Sequence, residues 1–133
     1  MTTLVALETG NLSDKVTVKQ NHLKEGSSMY LKAGETLSLQ DTLYGLMLAS
    51  GNDAAVAIAG ECGGMTAFVG KMNAKAAELG LTDTHFDNPN GLPSDTHYTT
   101  AHELAKITAA ALKDPVFRQI VSTKSCTVSG HAL

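Results

Sequence analysis

Helical pattern far outweighs strand pattern in this chain, and that imbalance constrains its fold most. Residues 2–8 read as the end of a helix closed by Gly10 and Asn11. Ser38, with Asp41 three residues later, forms a variant capping box. Leu39, Leu43, Leu46 and Met47 then recur at helical spacing. The helix breaks at Ser50-Gly51-Asn52, since a glycine inside a helix costs about 1 kcal/mol relative to alanine. Residues 53–61 resume as a small-residue helix, whose alanines allow close packing and predict burial, and Gly63-Gly64 ends it. An amphipathic helix is predicted from about Thr66 to Leu79, with Phe68, Met72, Ala76 and Leu79 on one face. Residues 80–98 read as loop around the turn Asn88-Pro89-Asn90-Gly91. Thr100 and Glu103 form a capping box for a helix to about Lys113, and Asp114-Pro115 starts a further short one. Only three segments read as extended: 15–19, 28–32 and 123–129. Isolated strands need partners and a layer to pack on. The expectation is therefore an α+β fold, mainly α over residues 1–133, whose antiparallel sheet lies mostly outside them.

Composition narrows the function classes. Hydrophobic residues make up 43% and charged residues 17% of 133 residues, which is globular and not disordered. A net charge of −3 argues against nucleic acid as a partner. No apolar run is long enough for a membrane span, and residues 1–8 lack the basic start of a secretory leader. Cys62 and Cys126 are too few for a disulfide framework and form no zinc pattern. The histidines, at 22, 85, 97, 102 and 131, show no helical metal-ligand spacing and read as surface or capping residues. Gly60-Glu-Cys-Gly-Gly64 reads as a helix stop, because it lacks the Lys-Ser/Thr of a phosphate loop. Asp14, Lys15, Lys19, Lys24 and Glu25 read as a solvated charged face.

Taken alone, Ser50-Gly51-Asn52 reads as a hinge whose Ser and Asn satisfy loose helix ends. Its surroundings favour a different reading. Gly26-Ser-Ser-Met-Tyr-Leu-Lys-Ala-Gly-Glu35 and Leu43-Tyr-Gly-Leu-Met-Leu-Ala-Ser-Gly-Asn-Asp-Ala-Ala-Val56 resemble segments of the low-molecular-mass penicillin-binding proteins. These are serine-type D-alanyl-D-alanine carboxypeptidases. The resemblance continues through Met72-Asn-Ala-Lys-Ala76, Glu78-Leu-Gly-Leu81, Thr84-His-Phe-Asp-Asn-Pro-Asn-Gly-Leu92, His97-Tyr-Thr-Thr-Ala101 and Phe117-Arg-Gln-Ile-Val-Ser-Thr-Lys-Ser125. It implies the helical lobe of a penicillin-binding-protein/β-lactamase-like fold, with residues 1–133 forming part of one catalytic domain.

Three motifs carry the family's acyl transfer: Ser-x-x-Lys, Ser-x-Asn and Lys-Thr-Gly. A serine hydroxyl is a weak nucleophile at neutral pH and needs a base, here the lysine one helical turn on. The serine of Ser-x-Asn relays a proton toward the leaving amine. The Asn amide grips a substrate carbonyl and helps fix the lysine, and Lys-Thr-Gly attracts the substrate carboxylate. The resemblance assigns these middle roles to Ser50 and Asn52. No serine of the chain begins Ser-x-x-Lys, and no Lys-Thr-Gly or His-Thr-Gly occurs. The nucleophile and base are expected just before residue 1, and the Lys-Thr-Gly strand beyond Leu133. Residues 1–133 alone are thus expected to be inactive, and their apolar face to associate into a homo-oligomer. For the parent the resemblance implies peptidoglycan stem peptides and β-lactams as partners, a place outside the cytoplasmic membrane, and no metal or organic cofactor. Two rivals are a β-lactamase-like serine hydrolase and a non-catalytic helical binding module. Gly51, where class A β-lactamases carry Asp, favours the carboxypeptidase over the first.

Overall fold

A computed structural model describes all residues 1–133. Six helices and two small antiparallel ribbons make up the chain. In order they are α1 (Thr2–Thr9), β1 (Lys15–Thr17), a 3₁₀ turn (Gln20–His22), β2 (Thr36–Ser38) and α2 (Leu39–Leu48). Next come α3 (Asn52–Glu61), α4 (Met65–Glu78), α5 (Ala101–Ala111), α6 (Pro115–Ser122), β3 (Thr127–Val128) and β4 (His131–Ala132). No helix is long and apolar enough to cross a membrane.

α3 is the centre of the fold. Its residues 52–59 are all buried, as the alanine run predicts. Small side chains let α2, α4 and β1 approach it closely, and Val5, Val16, Val18, Leu39, Leu43, Ile58, Phe68, Met72 and Ile120 pack around it. Local chemistry sets the helix starts. The Ser38 hydroxyl accepts from the Asp41 amide at 3.0 Å, and Asp114 accepts from Val116 and Phe117 at 2.7 and 3.3 Å. On α4, Phe68, Met72 and Ala76 are buried, while Leu79 caps the helix half-buried.

Three expectations need correction, and the helical spacing of residues 39–47, which is borne out, gains a detail of burial. Residues 28–32 do not form a strand; the partner of β1 is β2, in register Val16 to Leu37. The reason is that the amides of Met29 and Leu31 donate to the Asp53 carboxylate, that of Tyr30 to the Ser28 hydroxyl and that of Lys32 to the Glu35 carboxylate, which leaves none of the four for a ladder. The tail is not a single strand edge but a hairpin, β3 against β4, turning at Ser129-Gly130 with φ of 47° and 85°. On α2 the buried face is Leu39, Thr42, Leu43 and Gly45, whereas Leu46 is half-buried and Met47 exposed. Gly45 turns inward because Met29 lies over it: a Cβ there would stand 2.0 Å from the Met29 Sδ. Finally, the α5 capping box is half made. Thr100 accepts from the Glu103 amide at 3.1 Å. The Glu103 carboxylate instead accepts from the amides of Thr82 and Asp83 and from the Thr84 hydroxyl, pinning the loop after α4 to α5.

The last contact predicts a pH dependence. The Thr84 hydrogen bond, with the Asp83 and Thr82 amides, holds Glu103 below its ordinary pKa against the opposing effect of its burial. A depressed carboxylate stabilises the fold above its unfolded pKa of about 4.3, and that contribution fades as pH falls through the folded value. Thermal unfolding followed from pH 6 down to about pH 3 is expected to show a shallower acid loss in Glu103→Gln than in wild type. Glu35 and Asp87, also held low by their partners, account for loss that remains. Equal slopes in the two proteins would contradict the assignment.

Candidate active site

Ser50 and Asn52 meet at the junction of α2 and α3. Ala49 caps α2, and Gly51 is the N-cap of α3. Ser50 lies between them, exposed, with φ of +52°. That left-handed conformation strains a residue with a Cβ by about 1–2 kcal/mol. Gly51, the residue able to relieve such strain, has an ordinary φ of −65°. It is needed for space instead: a Cβ would lie 3.0 Å from the Asp53 Oδ1 and 3.2 Å from both the Ala54 Cβ and the Gly45 carbonyl oxygen. The chain thus holds a hydroxyl-bearing residue in the conformation glycine prefers.

Asn52 is nearly buried, at 7% exposure. Its amide nitrogen Nδ2 donates to the Glu25 carbonyl at 2.8 Å, and its backbone N–H donates to the Ser27 carbonyl at 2.8 Å. Gly26, with φ of +92°, leaves room for that side chain; a Cβ there would sit 2.8 Å from Nδ2. Asn52 therefore ties α3 to segment 25–27. Its second amide hydrogen and its Oδ1 remain without a bond inside the chain, and nothing buried is left unsatisfied.

Asp53 escapes the motif reading, yet it organises the same wall. It is 1% exposed. Its Oδ2 accepts from the Ser28 hydroxyl at 2.6 Å and the Leu31 amide at 3.0 Å; its Oδ1 accepts from Met29 at 3.2 Å and Ala54 at 2.9 Å. The Ser28 oxygen also accepts from the amide of Tyr30, which has φ of +63°. An acid heading the apolar run Ala54–Ala59 was the available signal. Ser28, Tyr30, Leu31, Lys24 and Asp53 border a cavity of about 190 Å³ beside the junction. Neither Ser50 nor Asn52 lines that cavity.

The start of α1 approaches this junction from the other side. The Thr3 hydroxyl donates to the Met47 Sδ at 3.0 Å, which places the first turn of α1 against the last turn of α2. Met1, Thr2, Thr3, Leu46 and Met47 share an apolar cleft of about 260 Å³ with Leu104 and Phe117. Cys62 and Cys126 are both free thiols.

Known proteins give this arrangement a context. A family model described as Peptidase_S11, D-alanyl-D-alanine carboxypeptidase, matches residues 1–131. The D-alanyl-D-alanine carboxypeptidase of Streptomyces sp. (strain K15) is 38% identical over 129 residues, covering 88% of this chain and 44% of the relative. DacB2 of Mycobacterium tuberculosis, described by the same activity, is 42% identical over 125 residues, covering 92% of this chain and 43% of the relative. The crystal structure of a D-alanyl-D-alanine carboxypeptidase from M. tuberculosis H37Rv superposes with a TM-score of 0.93 at 37% identity, over 99% of this chain and 52% of that one. A single-site mutant of the Streptomyces K15 DD-transpeptidase gives 0.91 at 36% identity, over 96% and 54%. The chain spans about half the length of the relatives it matches. These matches do not favour an unrelated helical binding module or a β-lactamase. With a superposition over 99% of its residues and a family match over residues 1–131, the chain belongs to the Peptidase_S11 family of D-alanyl-D-alanine carboxypeptidases.

Proposed function

We propose that residues 1–133 supply the helical wall and the proton-relay motif of a serine D-Ala-D-Ala carboxypeptidase acting on peptidoglycan stem peptides. The observation that carries the proposal is the exposed Ser50, held at a left-handed φ three residues after Met47, which packs on the start of α1. In the proposed reaction a serine ahead of α1 attacks the carbonyl between the two D-alanines, and the lysine of its Ser-x-x-Lys takes the hydroxyl proton. Ser50 passes a proton on to the departing D-alanine nitrogen, and the amide C–N bond breaks to leave an acyl-enzyme. Water then releases the shortened peptide. The free N–H of Asn52 is the donor for the substrate carbonyl, while its other N–H stays on Glu25. β-Lactams would acylate the same serine. Such a substrate places the parent outside the cytoplasmic membrane.

The experiment is a chimera. Residues 1–133 replace the matching stretch of the Streptomyces K15 enzyme, whose flanking segments complete the domain. Release of D-alanine from a peptide ending in D-Ala-D-Ala, at rates within roughly tenfold of the parent, is the expected result. A folded chimera with no release would overturn the reading.

The apolar cleft supports one more part of it. Met47 and Leu104, which line that cleft, are 36% and 51% exposed. Isolated residues 1–133 are expected to self-associate through this face. Light scattering from micromolar to millimolar protein is expected to show a mass that rises with concentration. A constant monomer mass over that range would count against it.

A further inference from the structure

A second feature stands between the 3₁₀ turn at residues 20–22 and the start of α4, and it draws nothing from the acyl-transfer reading. The His22 ring is 6% exposed. Its Nδ1 accepts from the Lys19 amide at 3.1 Å, which puts the ring proton on Nε2. That Nε2–H has no acceptor in the chain, yet it is not sealed in: His22 borders a cavity of about 320 Å³. Gly60 leaves it uncovered, since a Cβ there would stand 2.8 Å from Nε2.

The same cavity is bordered by Gly64, the N-cap of the fourteen-residue α4. Gly64 has no side chain to cap the helix, and the first turn carries no acid. The first-turn amides have no intrahelical acceptor, and the helix dipole adds positive potential there. Lys19 and Lys24 complete the rim, and neither joins any ion pair of the chain. No carboxylate lines the cavity. In a protein of net charge −3, two unpaired ammonium groups, a buried donor and an uncapped helix start face one space. Burial, then Lys19 and Lys24, push the His22 pKa below its ordinary value, so at neutral pH the ring acts as a neutral donor.

We propose that this cavity binds a phosphate group, with His22 Nε2–H and the first amides of α4 as donors and Lys19 and Lys24 as counter-charges. A phosphate suits the site better than a carboxylate. Its oxygens point in several directions and can accept from the ring, the helix and both ammoniums at once.

The test is a ¹H–¹⁵N NMR titration of the full chain at constant ionic strength and pH 7.5. One arm uses inorganic phosphate, a second dimethyl phosphate, and a third potassium chloride. Expected are saturable shifts at Lys19, His22, Lys24, Met65 and Thr66 with phosphate and none that saturate with chloride. Tighter binding of inorganic phosphate assigns a monoester-like dianion; equal binding of dimethyl phosphate assigns a diester. The double variant Lys19→Gln/Lys24→Gln is expected to weaken binding about tenfold or more, with its remaining spectrum unchanged. The His22 titration midpoint is expected to rise when phosphate is bound. Shifts that grow linearly and match those from chloride, or saturable binding undiminished in the double variant, would overturn the proposal.

Discussion

Asp53→Ala is expected to destabilise the chain by about 3–5 kcal/mol, a large share of a typical domain's stability. The carboxylate is buried and takes donors from Ser28, Met29 and Leu31 across 22 to 25 residues of sequence, besides Ala54 in its own helix. Removing it strands three buried amides, those of Met29, Leu31 and Ala54, and the Ser28 hydroxyl, each costing about 1–3 kcal/mol when left unpaired. Met29 and Leu31 also belong to the main apolar cluster, so the loss loosens packing. Asp53→Asn is expected to fall between wild type and Ala. Every hydrogen bond to Asp53 runs toward its oxygens, so an amide NH₂ on either side meets a donor head-on. Chemical denaturation followed by circular dichroism measures both. An Asp53→Ala midpoint equal to wild type would contradict the role given to this carboxylate.

The second large effect is an absence. A polypeptide of residues 1–133 alone is expected to form no covalent adduct with benzylpenicillin. The relay and orientation proposed for Ser50 and Asn52 cannot replace a nucleophile and base that residues 1–133 lack, because the members of such a set act as a unit. The chain does contain exposed hydroxyls, Ser50 among them. None has a lysine one helical turn on to remove its proton. Intact-mass measurement after prolonged incubation decides the matter. An unchanged mass is expected; a stoichiometric gain equal to the penicillin would show that some serine here is itself the nucleophile.

What was legible in the sequence follows from the range of the interactions involved. Ser38, Thr100 and Asp114 mark helix starts because each cap bonds an amide two or three residues away. The burial of α3 was legible from its alanines, since small side chains in a run permit little else than close packing. Residues 28–32 misled because their alternation resembles a strand, and the competitor for their amides, Asp53, lies more than twenty residues on. Glu103 completes a capping pattern on paper, yet the loop at 82–84 offers it three donors at once. The rotation of α2 that exposes Met47 depends on Met29 settling over Gly45, again a distant contact. At the site, the tripeptide was legible and its geometry was not. Glycine suggests positive φ, but Ser50 adopts it, and Gly51 serves only to avoid a clash with Asp53 and Gly45.

Ser50→Ala tests the central claim most directly, measured as the acylation rate of the Streptomyces K15 chimera by benzylpenicillin in a stopped-flow experiment. Alanine keeps the Cβ and the left-handed backbone, so thermal stability is expected to change little. The account predicts acylation slower by about 10²–10⁴-fold, the usual contribution of a positioned proton-transfer group. A chimera that folds normally and acylates at the wild-type rate with alanine at position 50 would contradict it.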